Sequence, residues 1–160
     1  MHSGIAIKDI LKVQEFTGFQ TLSKLKGDLT RIPSYGGVYA VLRETSEQVH
    51  FFEKSPAGRF KGKDPSYYLE VCHQKWVPNS EILYFGKATS LRDRLNQYIS
   101  FGYGNAIGHQ GGRLIWQVEG VWDFVVCWCP SDNPRQLEKL LLIEFKNAHS
   151  GRLPFANWKT

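Results

Sequence analysis

The chain has 160 residues, a length typical of one folded domain, and 42% of them are hydrophobic and 14% aromatic. These fractions exclude a disordered chain, and no apolar run is long enough for a signal peptide or a membrane span, so we expect a cytoplasmic protein without a membrane partner. The formal net charge of +5 favours a polyanionic partner without requiring one.

The chain begins with a segment of helical periodicity. Residues 8–30 carry leucine and isoleucine at helical intervals, so residues 1–35 are predicted to form an N-terminal helical lead-in. The run GGVYAVLR at 36–43 then alternates as a strand, with Tyr39 and Val41 on one face.

The middle of the chain contains two further strand-like runs. Residues 48–53 are predicted to pair with the first strand as a hairpin, and residues 55–66 form a basic loop rich in glycine, proline and serine. Residues 66–76 favour a helix. The run EILYFG is then a strand in which Ile82 and Tyr84 share a face.

The second half contains the strongest helical patterns. Residues 89–100 form a helix that Thr89 or Ser90 can cap, a glycine-rich loop follows at 101–112, and residues 113–120 fit a short helix or a strand. Residues 123–129 form a strand, rich in valine and aromatic residues. A last helix begins at the Asn133 cap and ends before Gly151. Its predicted buried stripe is Leu137, Leu140, Leu141, Phe145 and Ala148.

Together these elements predict an α+β fold in a single domain, 1–160, with a small central antiparallel or mixed sheet of three to four strands flanked by helices. The chain has three cysteines and no Cys-x-x-Cys pair. Cys127 and Cys129 fall on one side of a strand, where buried free thiols are expected.

The junction of the YFG strand and the following helix suits a phosphate. A helix start exposes unpaired backbone N–H groups, and Lys87 would add a point charge. Arg92 and Arg94 lie at the margins of that helix's apolar stripe, where each is either a site residue or a solvated surface charge. Glu138 has two interpretations as well: a carboxylate favouring the dipole of the last helix, or a ligand of a divalent cation.

In order, these motifs resemble the GIY-YIG nuclease superfamily. Gly37–Val38–Tyr39 matches the first motif and Tyr84–Phe85–Gly86 the second, with phenylalanine in place of the usual isoleucine or valine. The stretch GKATSLRDRLNQY matches the next, LEKLLLIEF the glutamate motif, and Pro154–Phe155–Ala156–Asn157 the closing one. The resemblance covers residues 36–157, with insertions at about 44–80 and 101–120.

The resemblance implies a metal-dependent endonuclease that hydrolyses phosphodiester bonds in DNA by tyrosine-assisted attack of water. One Mg²⁺ or Mn²⁺ ion would be held by Glu138. The implied catalytic residues are Tyr39, Tyr84, Lys87, Arg94, Tyr98, Glu138 and Asn157. The alternative is a catalytically silent nucleic-acid-binding module on the same fold.

Further basic and polar side chains are candidates for nucleic-acid contacts outside the motifs. They are Arg59, Lys61, Lys63, Arg92, His109 and Arg113. The expected partner is DNA, with RNA and branched DNA as alternatives, and the protein is a monomer or a homodimer. If the two motif strands pair, Tyr39 and Tyr84 should face the same side, with Glu138 within reach of a metal bound beside them.

Overall fold

A computed structural model describes residues 15–59, 62–105 and 111–159. Within these ranges the chain forms an antiparallel four-stranded sheet and four α-helices, so the predicted α+β class is confirmed. The strands are β1 (Thr17–Thr21), β2 (Gly37–Leu42), β3 (Ile82–Ala88) and β4 (Val125–Pro130), and the helices are α1 (Leu22–Gly27), α2 (Leu69–Lys75), α3 (Leu91–Gly102) and α4 (Pro134–Ala148). No helix in these ranges is long and apolar enough to cross a membrane.

The sheet has the order β1-β4-β2-β3, which makes β2 a central strand and β3 an edge strand. All six residues of β2 are buried because both faces of the sheet are covered. Tyr39 and Val41 face a core formed with α1, α2 and α3, whereas Val38 and Ala40 face a second core formed with α4. The alternation predicted for this strand is therefore confirmed.

A bulge in β3 changes which side of the sheet Ile82, its first residue, lies on. Val41 pairs with Tyr84 and Leu42 pairs with Ile82, so Leu83 is an extra residue between them. Ile82 consequently lies in the α4 core and Tyr84 in the opposite core. The prediction that Ile82 and Tyr84 share a face is wrong, because one inserted residue reverses the alternation.

The N-terminal segment differs from the predicted helical lead-in. Residues 1–14 lie outside the described residues, and Thr17–Thr21 is a strand paired with β4, not a helix. Helix α1 begins only at Leu22, where the Thr21 hydroxyl accepts a hydrogen bond from the backbone N–H of Lys24 at 3.3 Å. The lead-in prediction is therefore wrong for the strand and correct for the six residues of α1.

The predicted hairpin partner of β2 is also wrong. Residues 48–53 form only an isolated bridge, between Phe51 and Val118. Both edges of β2 are already occupied, one by β3 and the other by β4.

The other predicted helices are confirmed, with one error in the buried stripe of α4. The side chain of Asn133 caps this helix and accepts a hydrogen bond from the N–H of Gln136 at 3.2 Å. Leu140 is exposed and Leu142 is buried in its place, because the face toward the sheet is centred on Leu141 and Phe145. The ambiguous stretch after the glycine-rich loop is a short 3₁₀ helix, Arg113–Gln117.

Candidate active site

The two motif tyrosines meet on one face of the sheet, as predicted. Their ring centroids are 5.9 Å apart in an edge-to-face arrangement. Tyr39, in the middle of the sheet, is completely buried, and Tyr84, on the edge strand, is 7% exposed. Tyr84 is therefore the more accessible of the two tyrosines.

Tyr98 completes a cluster of three tyrosines but points its hydroxyl away from solvent. Its ring stacks on Tyr84 with centroids 6.1 Å apart and lies 6.0 Å from the ring of Tyr39. The Tyr98 hydroxyl donates to the backbone carbonyl of Gly112 at 3.0 Å. Tyr98 thus joins helix α3 to the glycine-rich segment, and in this structure its role is to position that segment.

Gly111 and Gly112 lie directly against Tyr84. A Cβ atom at Gly111 would come within 2.5 Å of the Tyr84 hydroxyl oxygen and 3.9 Å of Nη2 of Arg94. A Cβ at Gly112 would lie 2.9 Å from the Tyr84 ring, and the φ angle of +73° at Gly112 also favours glycine. The Tyr84 hydroxyl and the Arg94 guanidinium therefore border the same small space. Only glycine fits at positions 111 and 112, because a side chain there would collide with Tyr84.

Glu138 and Lys87 form an ion pair at the end of β3. Glu138 lies in the second turn of α4, and its Oε1 atom is 3.3 Å from Nζ of Lys87. The Glu138 side chain is 15% exposed and that of Lys87 51%. Glu138 is close enough to the tyrosine cluster that its negative charge raises the pKa of both Tyr84 and Tyr39.

The tyrosine hydroxyls are protonated at neutral pH. Burial, followed by the charge of Glu138, raises the pKa of Tyr84 to about 12, against the lowering effects of the Tyr39 hydroxyl and of Arg94. Burial and the neighbouring Tyr84 hold the pKa of Tyr39 well above its ordinary value. Added positive charge beside Glu138 would bring both pKa values down.

A cleft of about 600 Å³ opens beside Lys87 and Arg94, and its lining includes neither the three tyrosines nor Glu138. The charged side chains that line it are Lys87, Arg94 and Arg135, together with the carboxylates of Asp93 and Asp132. The start of α3 is capped by its own chain, since the Ser90 hydroxyl accepts from the N–H of Asp93 at 3.3 Å. The positive groups available to an anion in this cleft are thus side chains rather than a bare helix end.

Asn157 has a structural partner rather than a place in the cleft. Its side-chain Oδ1 accepts from the N–H of Phe85 at 3.0 Å, and its Nδ2 donates to the carbonyl of the same residue, also at 3.0 Å. Together with a bond from the N–H of Ala156 to the carbonyl of Leu83, it covers the outer edge of β3. Asn157 therefore holds the strand that carries Tyr84.

Arg92 and Arg113 occupy different surroundings from each other. Arg92 donates from Nε to the carbonyl of Ile32 at 2.7 Å and from Nη2 to that of Thr30 at 3.3 Å, so it ties α3 to the preceding turn. The guanidinium carbon of Arg113 lies 5.9 Å from the ring centroid of Tyr67.

The other predicted nucleic-acid contacts lie in loops. Arg59 and Lys63 are exposed, and Arg59 pairs with Asp64 at 3.4 Å. Lys61 and His109 lie outside the described residues. The structure thus places Tyr39, Tyr84 and Arg94 on one side of the sheet. Lys87, which is opposite Val38 in the β2–β3 pairing, faces α4 and Glu138, and the charge of Glu138 reaches both tyrosines.

Sequence reasoning missed Gln117, which is completely buried. Its Nε2 donates to the carbonyls of Phe52 and Tyr67, and its Oε1 accepts from the N–H of Tyr67 at 2.9 Å. The available signal was a single amide in the apolar run Leu-Ile-Trp-Gln-Val, since a buried polar side chain requires partners.

Glu138 is the carboxylate whose charge reaches the tyrosines, and Asp93 and Asp132 line the neighbouring cleft. Among the described residues no three histidine, cysteine, aspartate or glutamate side chains are grouped as metal ligands. A lone glutamate fits Mg²⁺ or Mn²⁺, which keep several waters and bind substrate phosphates, and does not fit a metal that needs a full set of protein ligands. The donor set is therefore compatible with the ion expected from the resemblance.

The sequence matches none of the known protein-family models, and no curated protein or solved structure is significantly similar to it. The function must therefore be inferred from the chain's own side chains and their arrangement.

Proposed function

We propose that this protein is a metal-dependent endonuclease of the GIY-YIG type that hydrolyses phosphodiester bonds in DNA. The observation that carries the proposal is the convergence of Tyr39 and Tyr84 with Arg94 at the end of β3, where Glu138 also lies. Phosphodiester hydrolysis needs a positioned water and fixed positive charge at the phosphate, and this set of groups supplies both.

Arg94 and Lys87 are the groups suited to bind the phosphate. Both line the open cleft, Lys87 from the end of β3 and Arg94 from the first turn of α3. Guanidinium and ammonium donors aimed at the phosphate oxygens stabilise the additional negative charge that develops in the transition state.

Tyr84 is the residue suited to orient the attacking water, because it lies on the edge strand beside Arg94. A phenol with its pKa near 12 is a poor base at neutral pH, so its hydroxyl acts first as a hydrogen-bonding group that holds the water in line. Tyr39 fixes the orientation of the Tyr84 ring from the interior.

Glu138 would hold the Mg²⁺ or Mn²⁺ ion, with water and phosphate oxygens as the other ligands. The ion, when bound, supplies Lewis-acid polarisation of the phosphate and positive charge beside the tyrosines. Lys87 contacts Oε1 of Glu138 at 3.3 Å, so an ion would bind through Oε2 or in place of the Lys87 ammonium group.

The ion pair between Lys87 and Glu138 also favours a second candidate, a nucleic-acid-binding module without catalysis. In that case Lys87 would neutralise the carboxylate permanently, and Glu138 would have no metal to hold. The two candidates differ in one observable, which is metal-dependent cleavage.

The test is nicking of supercoiled plasmid DNA with Mg²⁺, with Mn²⁺ and with a chelator. We expect cleavage that requires a divalent ion and that falls by about 100-fold or more in Glu138→Gln, as expected when a group acting on the transition state is lost. Glu144→Gln is the matched control, because Glu144 is an exposed carboxylate on the same helix. Retained DNA binding without cleavage in any metal would favour the silent module.

A further inference from the structure

A group of aromatic and basic side chains surrounds Trp158; we refer to Tyr67, its sequence neighbour Tyr68, Trp158, Lys75 and Arg113 as the aromatic platform. Tyr68 and Trp158 are exposed, and Tyr67, Lys75 and Arg113 are half-buried. The rings of Tyr67 and Trp158 are 5.4 Å apart, with an interplanar angle of 33°. Nζ of Lys75 lies 4.5 Å from the Trp158 ring centroid, and the Arg113 guanidinium lies 5.9 Å from that of Tyr67. Tyr68 is 82% exposed and Trp158 is 49% exposed.

The platform is held in place by buried hydrogen bonds. Gln117 is fully buried and binds both the N–H and the carbonyl of Tyr67, at 2.9 and 2.7 Å. Lys75 donates to the backbone carbonyl of Asn157, immediately before Trp158. Exposed rings whose backbones are fixed lose little conformational entropy on binding a flat ligand.

Two connections join the platform to the candidate active site. Arg113 follows Gly112, whose backbone packs on the ring of Tyr84. Trp158 follows Asn157, whose amide holds Phe85, the neighbour of Tyr84. The residues that fix Tyr84 are therefore adjacent in sequence to the residues that build the platform.

The chemistry of the platform fits one kind of ligand. Exposed rings stack on nucleobases of any sequence, and cations beside them bind backbone phosphates. Two further cations add positive charge nearby: Arg152, which donates to the carbonyl of Gln74 at 2.6 Å, and the exposed Lys159. Helix α2 contributes one carboxylate, that of Glu70. In a duplex the base faces are hidden by stacking, so such rings can bind only unpaired nucleotides.

We propose that the aromatic platform binds unpaired nucleotides next to the phosphate that is cleaved, so that the substrate is single-stranded or branched DNA rather than blunt duplex. The claim that the bound nucleotides belong to a cleaved substrate rests on the proposed nuclease function. Binding of unpaired nucleotides by the platform requires no catalysis.

The test is binding of fluorescently labelled oligonucleotides, measured by anisotropy in the presence of a chelator. The probes are a single strand, a forked duplex and a blunt duplex of the same sequence. We expect Trp158→Ala and Tyr68→Ala each to weaken binding of the strand and the fork by about tenfold, the value of one stacked base, and to change blunt-duplex binding less than twofold. Trp158→Phe should recover most of the loss, since it keeps a ring.

Tyr103→Ala is the matched control. Tyr103 is 61% exposed and has Nζ of Lys26 at 3.5 Å from its ring centroid, but it lies at the end of α3 outside the platform. Unchanged affinity for the fork in Trp158→Ala and Tyr68→Ala, or equal losses on all three probes, would overturn the proposal. Because Tyr68 is almost fully exposed, its truncation leaves the fold intact and the result interpretable.

The same three probes and two variants, measured for binding with a chelator and for cleavage with a metal ion, separate this inference from the proposed function. Selective loss of fork binding in the two variants, without cleavage by the wild-type protein in any metal, would support the platform and reject the nuclease. Metal-dependent cleavage of blunt duplex that Trp158→Ala and Tyr68→Ala leave unchanged would support the nuclease and reject the platform.

Discussion

Gly86 lies directly beneath the ring of Tyr39. The two residues are opposite one another in the β2–β3 pairing, and a Cβ atom at Gly86 would approach Cζ of Tyr39 to 2.4 Å. The Tyr39 ring therefore crosses the neighbouring strand at the one position without a side chain. This contact explains the glycine of the second motif, which the tyrosine of the first requires. Gly37 of the first motif has another reason, because a Cβ atom there would lie 2.2 Å from the carbonyl oxygen of Cys129 on β4.

We expect Gly86→Ala to destabilise the protein by about 1–3 kcal/mol, the usual effect of overpacking a filled core. Because Tyr39 must move, and with it Tyr84, we also expect nicking to fall by about 100-fold. Gly27→Ala is the control, since nothing lies within 4 Å of the Cβ it would add, and it should be neutral or slightly stabilising. Urea unfolding and plasmid nicking measure the two effects, and wild-type nicking in Gly86→Ala would contradict the assigned role of Tyr39.

Alkaline titration should reveal the three buried tyrosines. The pKa values of Tyr39, Tyr84 and Tyr98 are raised in the folded protein, mainly by burial, so the folded state retains protons that the unfolded chain loses above about pH 10. Their contribution to stability is complete below that pH and is lost as the pH rises toward the folded pKa values. We expect a late component in the near-ultraviolet tyrosinate absorbance, accompanied by unfolding.

Two variants test whether Tyr84 contributes to the late component of the tyrosinate titration. Tyr84→Phe should reduce its amplitude by one tyrosine, and Glu138→Gln should shift the titration of Tyr84 to lower pH by removing a negative charge that raises its pKa. An unchanged late component in Tyr84→Phe would show that Tyr84 is not among the raised groups.

Asn157→Ala should destabilise the fold more than its short side chain suggests. It leaves both the N–H and the carbonyl of Phe85 without their partner, and each unsatisfied buried group costs about 1–3 kcal/mol. Asn157→Asp keeps an acceptor for the N–H and should be intermediate. Asn96→Ala is the control, because Asn96 is an exposed asparagine on α3. Equal unfolding midpoints for Asn96→Ala and Asn157→Ala would show that the hydrogen bonds between Asn157 and Phe85 do not stabilise the fold.

Lys87→Met should separate stability from catalysis. The pair with Glu138 is half exposed on the lysine side, so its loss should change the free energy of unfolding by less than about 1 kcal/mol. Nicking should fall much further, by about tenfold or more, because a positive charge is lost at the phosphate. Lys87→Arg should retain part of the activity, and a variant with normal nicking would assign Lys87 to the ion pair alone.

The features that sequence predicted well are those set by local pattern. Strict alternation placed Tyr39 and Val41 on one face of β2, and side-chain caps at Ser90 and Asn133 set the starts of α3 and α4. In these cases the information needed is contained in a few consecutive residues. The common facing of Tyr39 and Tyr84, in contrast, is a conditional prediction, because it depends on the register that places Gly86 opposite Tyr39.

The features that sequence missed depend on distant partners. Strand β1 has no clean alternation, because Gly18 and Phe19 both adopt positive φ and the register shifts there, and its pairing with β4 spans most of the chain. The bulge at Leu83 is visible only against β2. The resemblance suggested Asn157 as a site residue, but its amide partner, Phe85, can be identified only in the folded chain.

The closed outer edge of β3 affects more than the active site. An unpaired strand edge is a template on which other chains can add strands, and a hydrophobic edge such as that of β3 is prone to such growth. Here Ala156 and the amide of Asn157 occupy the positions that an added strand would take beside Leu83 and Phe85. Release of this short segment, for example by proteolysis, would expose the edge of β3 and make it a site of self-association, so these few residues protect the protein from aggregation as well as holding Tyr84 in place.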